Sequence, residues 1–470
     1  MSSLMIKNAV ILTVNPKNEV INNGGVVITD NIITAVARMD QLKDSSADEV
    51  IDAKKMVIMP GLVNSHTHLS MTLFRGVADD VPSINWLPII WSIEKNINEE
   101  HCYIGALLGC LEMIKTGTTC FADQYWHMDH VATAVKEAGM RANLSQGILE
   151  LNDPDKGARE LQESISFAKK WHKSLDGLIT CKLGPHSIYS CSPKLLQQTR
   201  EAADAANLGI HIHVAEAPNE PQMAKKKYGE TSIEHLQNLG FLKGDVLAAH
   251  CVFVNERDMD IMKKTNTAVA HCPSAMMKYG NDTAPIPELL SKNVTVGIGT
   301  DGCGSNNNLD MIEEMRTASF LHKMVKKDSV ILPAPELIRM STVLGAKALG
   351  LDNEIGSIEI GKKADLIILD YKKPHLVPFH NCPSHLVYSA FGSDVDTVII
   401  DGKVIMQNRE VLTLNELEVM EKAQKAFEEL LELGGYTLNI TKNPKPGLKT
   451  NLTVKSFQTF LKISQKLKGT

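Results

Sequence analysis

The sequence predicts an α/β fold, a (β/α)8 TIM-like barrel with a small composite β-sandwich domain from both termini. Between about Gly61 and about Leu351, short strand-like runs alternate with helical segments, which is the pattern of a parallel barrel. Both ends of the chain, outside that region, contain further strand-like runs separated by turns. A length of 470 residues accommodates one large barrel and a smaller accessory domain.

Eight apolar runs are predicted as the barrel strands. One run lies directly before His66, and the other seven are at residues 118–122, 142–145, 179–183, 210–214, 247–250, 268–271 and 294–299. Helices are predicted between them at residues 104–116, 158–173, 193–207 and 312–325. Functional groups of such a barrel lie where its strands end, at the C-terminal rim.

The β-rich ends of the chain are predicted to form one sandwich. N-terminal strands are expected at residues 9–14, 25–29 and 32–36, with Asp30 and Asn31 as a hairpin turn, and C-terminal strands at 365–369, 395–400 and 403–406. The expected domains are therefore 1–58 with 360–412 for the sandwich, 59–359 for the barrel and 413–470 for a C-terminal part. That part contains an amphipathic helix at 416–433 and a tail with seven lysines and no acidic residue beyond Gly434.

Composition narrows the class of protein. Hydrophobic residues make up 43% of the chain and charged residues 22%, with a formal net charge of −6, which is typical of a globular protein and gives no reason to expect nucleic acid as a partner. No run is apolar enough to suggest a membrane span or a signal peptide. The nine cysteines form no C-x-x-C pair, so reduced thiols and a cytoplasmic location are expected.

The segment His66-Thr67-His68 carries the strongest chemical signal. Two histidines at i and i+2 on a strand point to the same side and can share one divalent metal. His213 and Asp301 also follow predicted barrel strands, so all four side chains are expected at one rim. The sequence therefore predicts one divalent metal held by His66, His68, His213 and Asp301. His211 is interpreted as a structural residue that faces away from His213.

Three residues are predicted to be catalytic. Glu216 follows His213 by three residues and can carry protons beside the metal without binding it. Asp301 would accept the proton of the attacking water. His250 also ends a predicted strand, and it is either a fourth histidine ligand or a group that polarises the attacking water, the role we favour.

With these motifs in place, the chain resembles the amidohydrolase superfamily and, within it, the methylthioadenosine/S-adenosylhomocysteine deaminase family. The resemblance covers nearly all of residues 5 to 410. The segments that carry it are PGLVNSHTH at 60–68, MTLFRG at 71–76, GPHS at 184–187, HVAE at 213–216, AHC at 249–251, and GTDG at 299–302 followed by SNN at 305–307.

The resemblance implies hydrolytic deamination of the adenine ring of a 5′-modified adenosine, giving the inosine analogue and ammonia. It implies that the metal bound by the four predicted ligands is zinc, with iron as the alternative, and that Glu216 protonates the ring nitrogen beside C6. A small nucleoside substrate is expected, and the resemblance is compatible with a homo-oligomer.

The resemblance also implies substrate-binding residues. Glu94 matches a glutamate that binds the ribose hydroxyls, and His186 matches a histidine that contacts the substrate. Arg159 lies near the place of an arginine that meets the amino-acid end of S-adenosylhomocysteine. Gln146 stands where the family often has arginine, which favours neutral 5′-substituents such as methylthio or plain deoxy.

Two further positions leave alternatives open. Met276 stands where the family usually has an asparagine. The polar contact at the mouth of the site is therefore changed, and the substrate stays undetermined. Lys182 lies on a barrel strand where two-metal relatives use a carboxylated lysine, although an outward or supporting position is the favoured interpretation.

Two other functions also remain open. The first is hydrolysis of another heteroaromatic ring, such as guanine, a pterin or an s-triazine. Glu94 distinguishes this function from nucleoside deamination, because a bare ring has no hydroxyls for its carboxylate to bind. The second is a barrel that has lost catalysis and serves as a scaffold.

Overall fold

The computed structural model describes residues 2–43, 46–81 and 83–434. Its strands are β1 Ser3–Leu12, β2 Val20–Thr29, β3 Ile32–Arg38, β4 Glu49–Asp52, β5 Met56–Pro60, β6 Leu62–Thr67, β7 Thr118–Tyr125, β8 Arg141–Ile148, β9 Ile179–Pro185, β10 Gly209–Val214, β11 Val246–His250, β12 Ala268–His271, β13 Val296–Ile298, β14 Leu366–Asp370, β15 Val395–Ile400, β16 Lys403–Gln407 and β17 Glu410–Val411.

The helices are α1 Ser83–Glu94, α2 Glu99–Thr116, α3 Met128–Ala138, α4 Pro154–Trp171, the single turn α5 Ser174–Gly177, α6 Pro193–Ala206, α7 Glu220–Tyr228, α8 Ser232–Asn238, α9 Glu256–Thr265, α10 Pro273–Lys278, α11 Ile286–Ser291, α12 Met311–Lys326, α13 Ala334–Met340, α14 Val343–Leu349, α15 Cys382–Tyr388 and α16 Glu416–Gly434. Within the described ranges, no helix is both long and apolar enough to cross a bilayer.

The predicted barrel is confirmed. Strands β6 to β13 form one parallel sheet in chain order, and each predicted barrel strand corresponds to one of them. Every residue of β7 and β8 is buried, because helices cover the outside of the sheet while side chains fill the inside. Local signals start the covering helices. The Asp153 side chain accepts a hydrogen bond from the Lys156 amide at the start of α4, and Pro154 follows it.

The barrel closes between β13 and β6 through side chains and a close backbone approach. The Asn64 side chain accepts a hydrogen bond from the Thr300 amide at 3.1 Å and donates one to the Thr300 hydroxyl at 2.7 Å. The amide of Asp301 donates to the carbonyl of His66 at 3.0 Å. Gly299 permits this approach, because a Cβ there would lie 2.7 Å from the His66 nitrogen. Closure thus places Asp301 against the first strand.

Strands from both termini form a second, mixed sheet, which confirms the small composite domain predicted from the two ends of the chain. Its order is β17-β16-β15-β14-β5-β1-β2-β3, with β4 paired to β1, so the small domain is one continuous nine-stranded sheet. Met59 pairs with Ile367 and Pro60 with Leu366, which places the run before Gly61 in this sheet and the run after it in the barrel. Its separate core includes Ile6, Ile28, Ile58, Leu366 and Ile368.

A buried ion pair joins the two sheets at the end of the barrel opposite its C-terminal rim. Arg141, the first residue of β8, is 1% exposed and donates to both carboxylate oxygens of Asp365 at 2.7 and 3.0 Å. The same guanidinium donates to Asp401 at 3.1 Å.

The predicted C-terminal helix is confirmed as α16, which buries one face that includes Val419, Ala423 and Leu430. It packs against α2 of the barrel layer. The basic tail from residue 435 onward lies outside the described residues.

Candidate metal and catalytic site

The predicted ligands come from three parts of the barrel rim. His66 lies near the end of β6 and His68 directly after it, His213 is the second-last residue of β10, and Asp301 comes shortly after β13. His250 ends β11 beside them. His250 and Asp301 have φ values of +73° and +60°, a left-handed conformation that costs energy for residues with a side chain and is concentrated at functional sites.

These side chains converge on a common point. The Asp301 Oδ1 atom lies 3.4 Å from His68 Nε2 and 3.7 Å from His66 Nε2, and His213 Nε2 lies 3.3 Å from His68 Nε2. Two sets, His66 with His68 and His213, and His66 with His250 and Asp301, each place their ligand atoms within 4.8 Å of one another. The cluster therefore has the size of a first coordination sphere.

The Nδ1 atom of each of the three predicted histidine ligands has a hydrogen-bond partner. His68 Nδ1 donates to the Gln124 carbonyl at 2.6 Å, and His213 Nδ1 donates to the His186 carbonyl at 2.9 Å. His66 Nδ1 lies 2.8 Å from His211 Nε2. These bonds leave the Nε2 lone pairs facing the common point, as in histidine metal sites generally.

The donor set fits a divalent metal. His66 Nε2 is buried and has no hydrogen-bond partner among the described residues, although a buried polar nitrogen is costly to leave unpaired. Burial and the neighbouring histidines lower the pKa values of His66 and His213 well below the usual range. Both rings are therefore neutral at physiological pH, which is the form that binds metals.

The expectation that His211 faces away from His213 is wrong. Residues at i and i+2 of a strand lie on the same side, so His211 also points into the barrel, one layer deeper. Its ring packs edge-on against His66, with the centroids 4.9 Å apart. The alternation of β10 was the signal that could have identified this contact.

Glu216 lies beside the cluster in a loop held by a second glutamate. The amides of Ala215 and Glu216 donate to Glu220 at 2.8 and 3.0 Å, which fixes the backbone of Glu216 after β10. Its carboxylate lies 3.6 Å from His250 Nε2. Burial, followed by the negative charges of Asp301 and Glu220, raises the pKa of Glu216 to about 8. Glu216 can therefore hold a proton at neutral pH and release it to a base.

A cavity of about 530 Å³, the inner cavity, opens over this cluster. Its polar lining includes His186, Glu94 and Glu216, and three of the four tryptophans of the chain contribute to its walls: Trp86, Trp91 and Trp126. An adjoining cavity of about 840 Å³, the outer cavity, shares Trp91, Glu94, Trp126 and Leu149 with it. The combined space accommodates a planar ring near the metal ligands and a substituent farther out.

Two of the four predicted substrate residues line the inner cavity. Glu94 ends α1, and its carboxylate accepts a hydrogen bond of 2.5 Å from the Tyr125 hydroxyl. Burial raises the pKa of Glu94 to about 7. His186 lies 3.0 Å from the Ser190 hydroxyl through Nδ1, and burial lowers its pKa to about 3, so the ring is neutral.

The other two predicted substrate residues lie elsewhere. The Gln146 side chain lines the outer cavity and accepts a hydrogen bond from the Met128 amide at 3.1 Å. Arg159 is exposed on α4 and does not line the outer cavity. Lys156, on the same helix, does line it.

The structure also gives the contacts of Met276 and Lys182, the two positions with open alternatives. Met276 is 2% exposed and packs in a small cluster with Val252 and Cys272. Lys182 donates to the carbonyl of Asp245, directly before β11, at 2.8 Å, which agrees with a supporting position.

The amidohydrolase family model matches residues 57–405, and the chain belongs to this family. It is 48% identical over 432 residues to 5′-deoxyadenosine deaminase of Methanosarcina barkeri, covering 92% of this chain and 99% of the relative. It is 45% identical over 428 residues to 5-methylthioadenosine/S-adenosylhomocysteine deaminase of Pelotomaculum thermopropionicum, covering 90% and 98%. Among solved structures, an adenosine deaminase from Xanthomonas campestris with bound zinc superimposes with a TM-score of 0.87 at 31% identity, covering 92% and 99%.

Proposed function

We propose that this protein is a metal-dependent aminohydrolase that removes the 6-amino group from 5′-modified adenosines. Its substrates are 5′-deoxyadenosine, 5′-methylthioadenosine, S-adenosylhomocysteine and adenosine, and the products are the inosine analogue and ammonia. The observation that carries the proposal is the convergence of three imidazoles and one carboxylate beside Glu216, at the base of a cavity that also contains Glu94. The identities of 48% and 45% to the two deaminases support the same chemistry.

His66, His68, His213 and Asp301 would hold the metal. Imidazole and carboxylate donors suit zinc, and we propose zinc as the resident ion, with iron as the alternative. When bound, the metal supplies a Lewis acid that lowers the pKa of a coordinated water toward 7. The remaining chemistry belongs to side chains.

Glu216 and Asp301 would move the protons. Asp301 accepts a proton from the attacking water as its oxygen bonds to C6, and Glu216 donates its proton to the neighbouring ring nitrogen. The C6 carbon becomes tetrahedral, and His250 stabilises the developing charge. The proton held by Asp301 then passes to the amino group, the C–N bond breaks and ammonia leaves, while the C6 hydroxyl returns its proton to Glu216. The atoms thus balance as nucleoside plus water to inosine analogue plus ammonia.

Glu94 favours a nucleoside over a bare ring. Its buried carboxylate faces the inner cavity, where its acceptor oxygens suit sugar hydroxyls, whereas guanine or an s-triazine would leave this group without a partner. Because Gln146 is uncharged and Arg159 lies outside the described cavities, we place 5′-deoxyadenosine and 5′-methylthioadenosine first among the substrates.

A substrate panel tests this function. The purified protein is incubated with 5′-deoxyadenosine, 5′-methylthioadenosine, S-adenosylhomocysteine, adenosine, guanine and an aminotriazine, and released ammonia is measured. We expect the highest kcat/KM with the first two nucleosides. Ammonia from guanine or the triazine alone would refute the proposal.

A further inference from the structure

The turn that carries Asp301 depends on contacts from outside itself. Asp301 has a φ of +60°, a conformation that a residue with a side chain keeps only where its surroundings impose it. The peptide group before Asp301 is held at both polar ends. The Asp301 amide donates to the His66 carbonyl at 3.0 Å, and the Thr300 carbonyl accepts from the Asn306 side chain at 2.9 Å. The direction of the Asp301 carboxylate therefore depends on how this peptide group is held.

The side chain of Asn306 has a second partner, which lies on α12. Its Nδ2 atom carries two protons, and it donates to the Thr300 carbonyl and to Glu314 Oε1, the latter at 2.6 Å. Because a carbonyl oxygen can only accept, the nitrogen of this amide must face Thr300, which leaves its other proton for Glu314. Asn306 thus connects the carboxyl group of Glu314 to the turn that carries Asp301.

Glu314 is buried without a cation beside it. It is 1% exposed, and none of the ion pairs formed among the described residues involves it. Its Oε2 atom accepts from the amide of Ser274, in the first turn of α10, at 3.4 Å. Burial raises the pKa of Glu314 to about 8, so the group is mostly protonated at pH 7. A buried acid is costly, and the contacts of this one lead to the segments that follow β12 and β13.

We propose that Asn306 and Glu314 are positioning residues, which hold the Thr300–Asp301 peptide group so that the Asp301 carboxylate can bind the metal and accept the proton of the attacking water. For the role of Asp301, this inference rests on the proposed deaminase function. Neither Asn306 nor Glu314 lines the inner or the outer cavity. Their loss should therefore weaken metal binding and turnover while leaving substrate binding nearly unchanged.

Four variants test the pair: Glu314→Leu, Asn306→Ala, the combination of these two, and Glu314→Gln. Zinc affinity is measured by competition with a chromophoric chelator, and kcat and KM for 5′-deoxyadenosine are measured at saturating zinc. We expect Glu314→Leu and Asn306→Ala each to weaken zinc binding about 10- to 100-fold and to lower kcat to a similar extent. KM should change less than about threefold, because no group that faces the substrate is removed.

Two of these variants separate positioning from packing. Glu314→Gln keeps the shape of the side chain and an oxygen that can accept from Asn306, so zinc affinity and kcat should stay within about threefold of the wild type. Because both residues act on one peptide group, the combined variant should fall below the weaker single variant by less than about threefold. Glu313→Leu makes the same change at the exposed neighbouring position of α12 and is the matched control, which should be neutral.

Wild-type zinc affinity and kcat in both Glu314→Leu and Asn306→Ala would overturn the proposal. A loss in Glu314→Gln as large as in Glu314→Leu, or losses that multiply in the combined variant, would overturn it as well. If melting shows that Glu314→Leu does not fold, Asn306→Ala decides, because it removes the bond to Thr300 at a half-buried position. Absence of ammonia with the metal-loaded wild-type protein would instead overturn the deaminase function, whereas the zinc affinities would still decide whether the pair positions Asp301.

Discussion

At the scale of single residues, Glu216 has the most defined chemical environment in the site. It is three residues beyond His213, and burial beside Asp301 raises its pKa to about 8. The carboxyl group is therefore mostly protonated at pH 7, the state that a general acid needs.

Replacing Glu216 with glutamine should abolish this proton transfer while keeping the shape of the side chain. We predict that Glu216→Gln retains metal and fold but lowers kcat by about 10²- to 10⁴-fold, the usual contribution of a general acid–base group. Rates are measured by ammonia release, with metal content and melting temperature alongside. Glu201→Gln makes the same chemical change at an exposed position of α6 and should be neutral. Near-native turnover in Glu216→Gln would remove Glu216 from the mechanism.

His211 illustrates a residue whose role depends on a contact across the barrel. His66 and His211 are 145 positions apart, and their nitrogens lie 2.8 Å apart. Such a partner fixes the orientation and tautomer of a ligand histidine, and its loss typically costs 10- to 100-fold in metal affinity. We therefore predict that His211→Leu weakens zinc binding about 10- to 100-fold in a competition titration with a chromophoric chelator.

A second substitution separates the hydrogen bond from simple packing. His211→Gln offers an acceptor oxygen to His66 Nδ1 and should recover part of the affinity. Equal affinities for His211→Leu and the wild-type protein would show that the contact does not orient His66.

Sequence patterns identified the residues of the site better than their partners. His66, His68, His213 and Asp301 could be placed because each follows an apolar run that ends at the barrel rim. Tyr125 and Gln124 could not, because they join the site only through contacts, where the Tyr125 hydroxyl donates to Glu94 and the Gln124 carbonyl accepts from His68. No local pattern encodes such long-range pairs.

At the scale of elements, the barrel strands were predictable and several helices were not. Buried strands give continuous apolar runs, and long helices such as α4, α6 and α12 give clear periodicity over 14 residues or more. The helices α8, α10 and α11 have only six or seven residues, too few for a periodic signal. The change from one sheet to the other at Gly61, between β5 and β6, was also not predictable, because the apolar run is nearly continuous across this residue.

The closing contact between β13 and β6 depends on Gly299. A methyl group at this position would lie 2.7 Å from the His66 nitrogen and 2.8 Å from its carbonyl oxygen, and backbone atoms cannot turn aside as a side chain can. We predict that Gly299→Ala lowers the free energy of unfolding by about 1–3 kcal/mol or more, the cost of overpacking, and weakens metal binding because His66 is displaced.

Chemical denaturation and a zinc competition titration measure the two effects. Gly244→Ala is the control, because the nearest atom to its added methyl group lies 3.4 Å away and the position is exposed. A Gly299→Ala protein with wild-type stability and wild-type affinity would contradict the proposed closure.

At the scale of the whole molecule, the two sheets have different roles, because one carries the candidate site and the other holds the ends of the barrel segment. The barrel collects the chemical groups at its C-terminal rim, while the nine-stranded sheet is attached at the opposite end through Arg141, Asp365 and Asp401. Both termini of the barrel segment enter this sheet, since β5 precedes β6 directly and pairs with β14. The small sheet therefore holds the N-terminal end of the first barrel strand, and His66 and His68 lie at the other end of that strand.

The fold and the candidate metal site are coupled, because the predicted ligands lie on strands that are far apart in the sequence. The metal ligands lie on separate strands, at sequence distances up to 235 residues, as counted from His66 to Asp301. A metal bound by them would tie β6, β10 and the segment after β13 together, so metal binding and closure of the barrel stabilise each other.

A metal titration of turnover tests this account most directly. The protein is stripped with a chelator, zinc is added in steps, and ammonia release from 5′-deoxyadenosine is measured at each step. We predict negligible activity without metal and a rise that ends at one zinc per chain. Full activity in the stripped protein, or a rise that continues to two zinc ions per chain, would contradict a single metal held by His66, His68, His213 and Asp301.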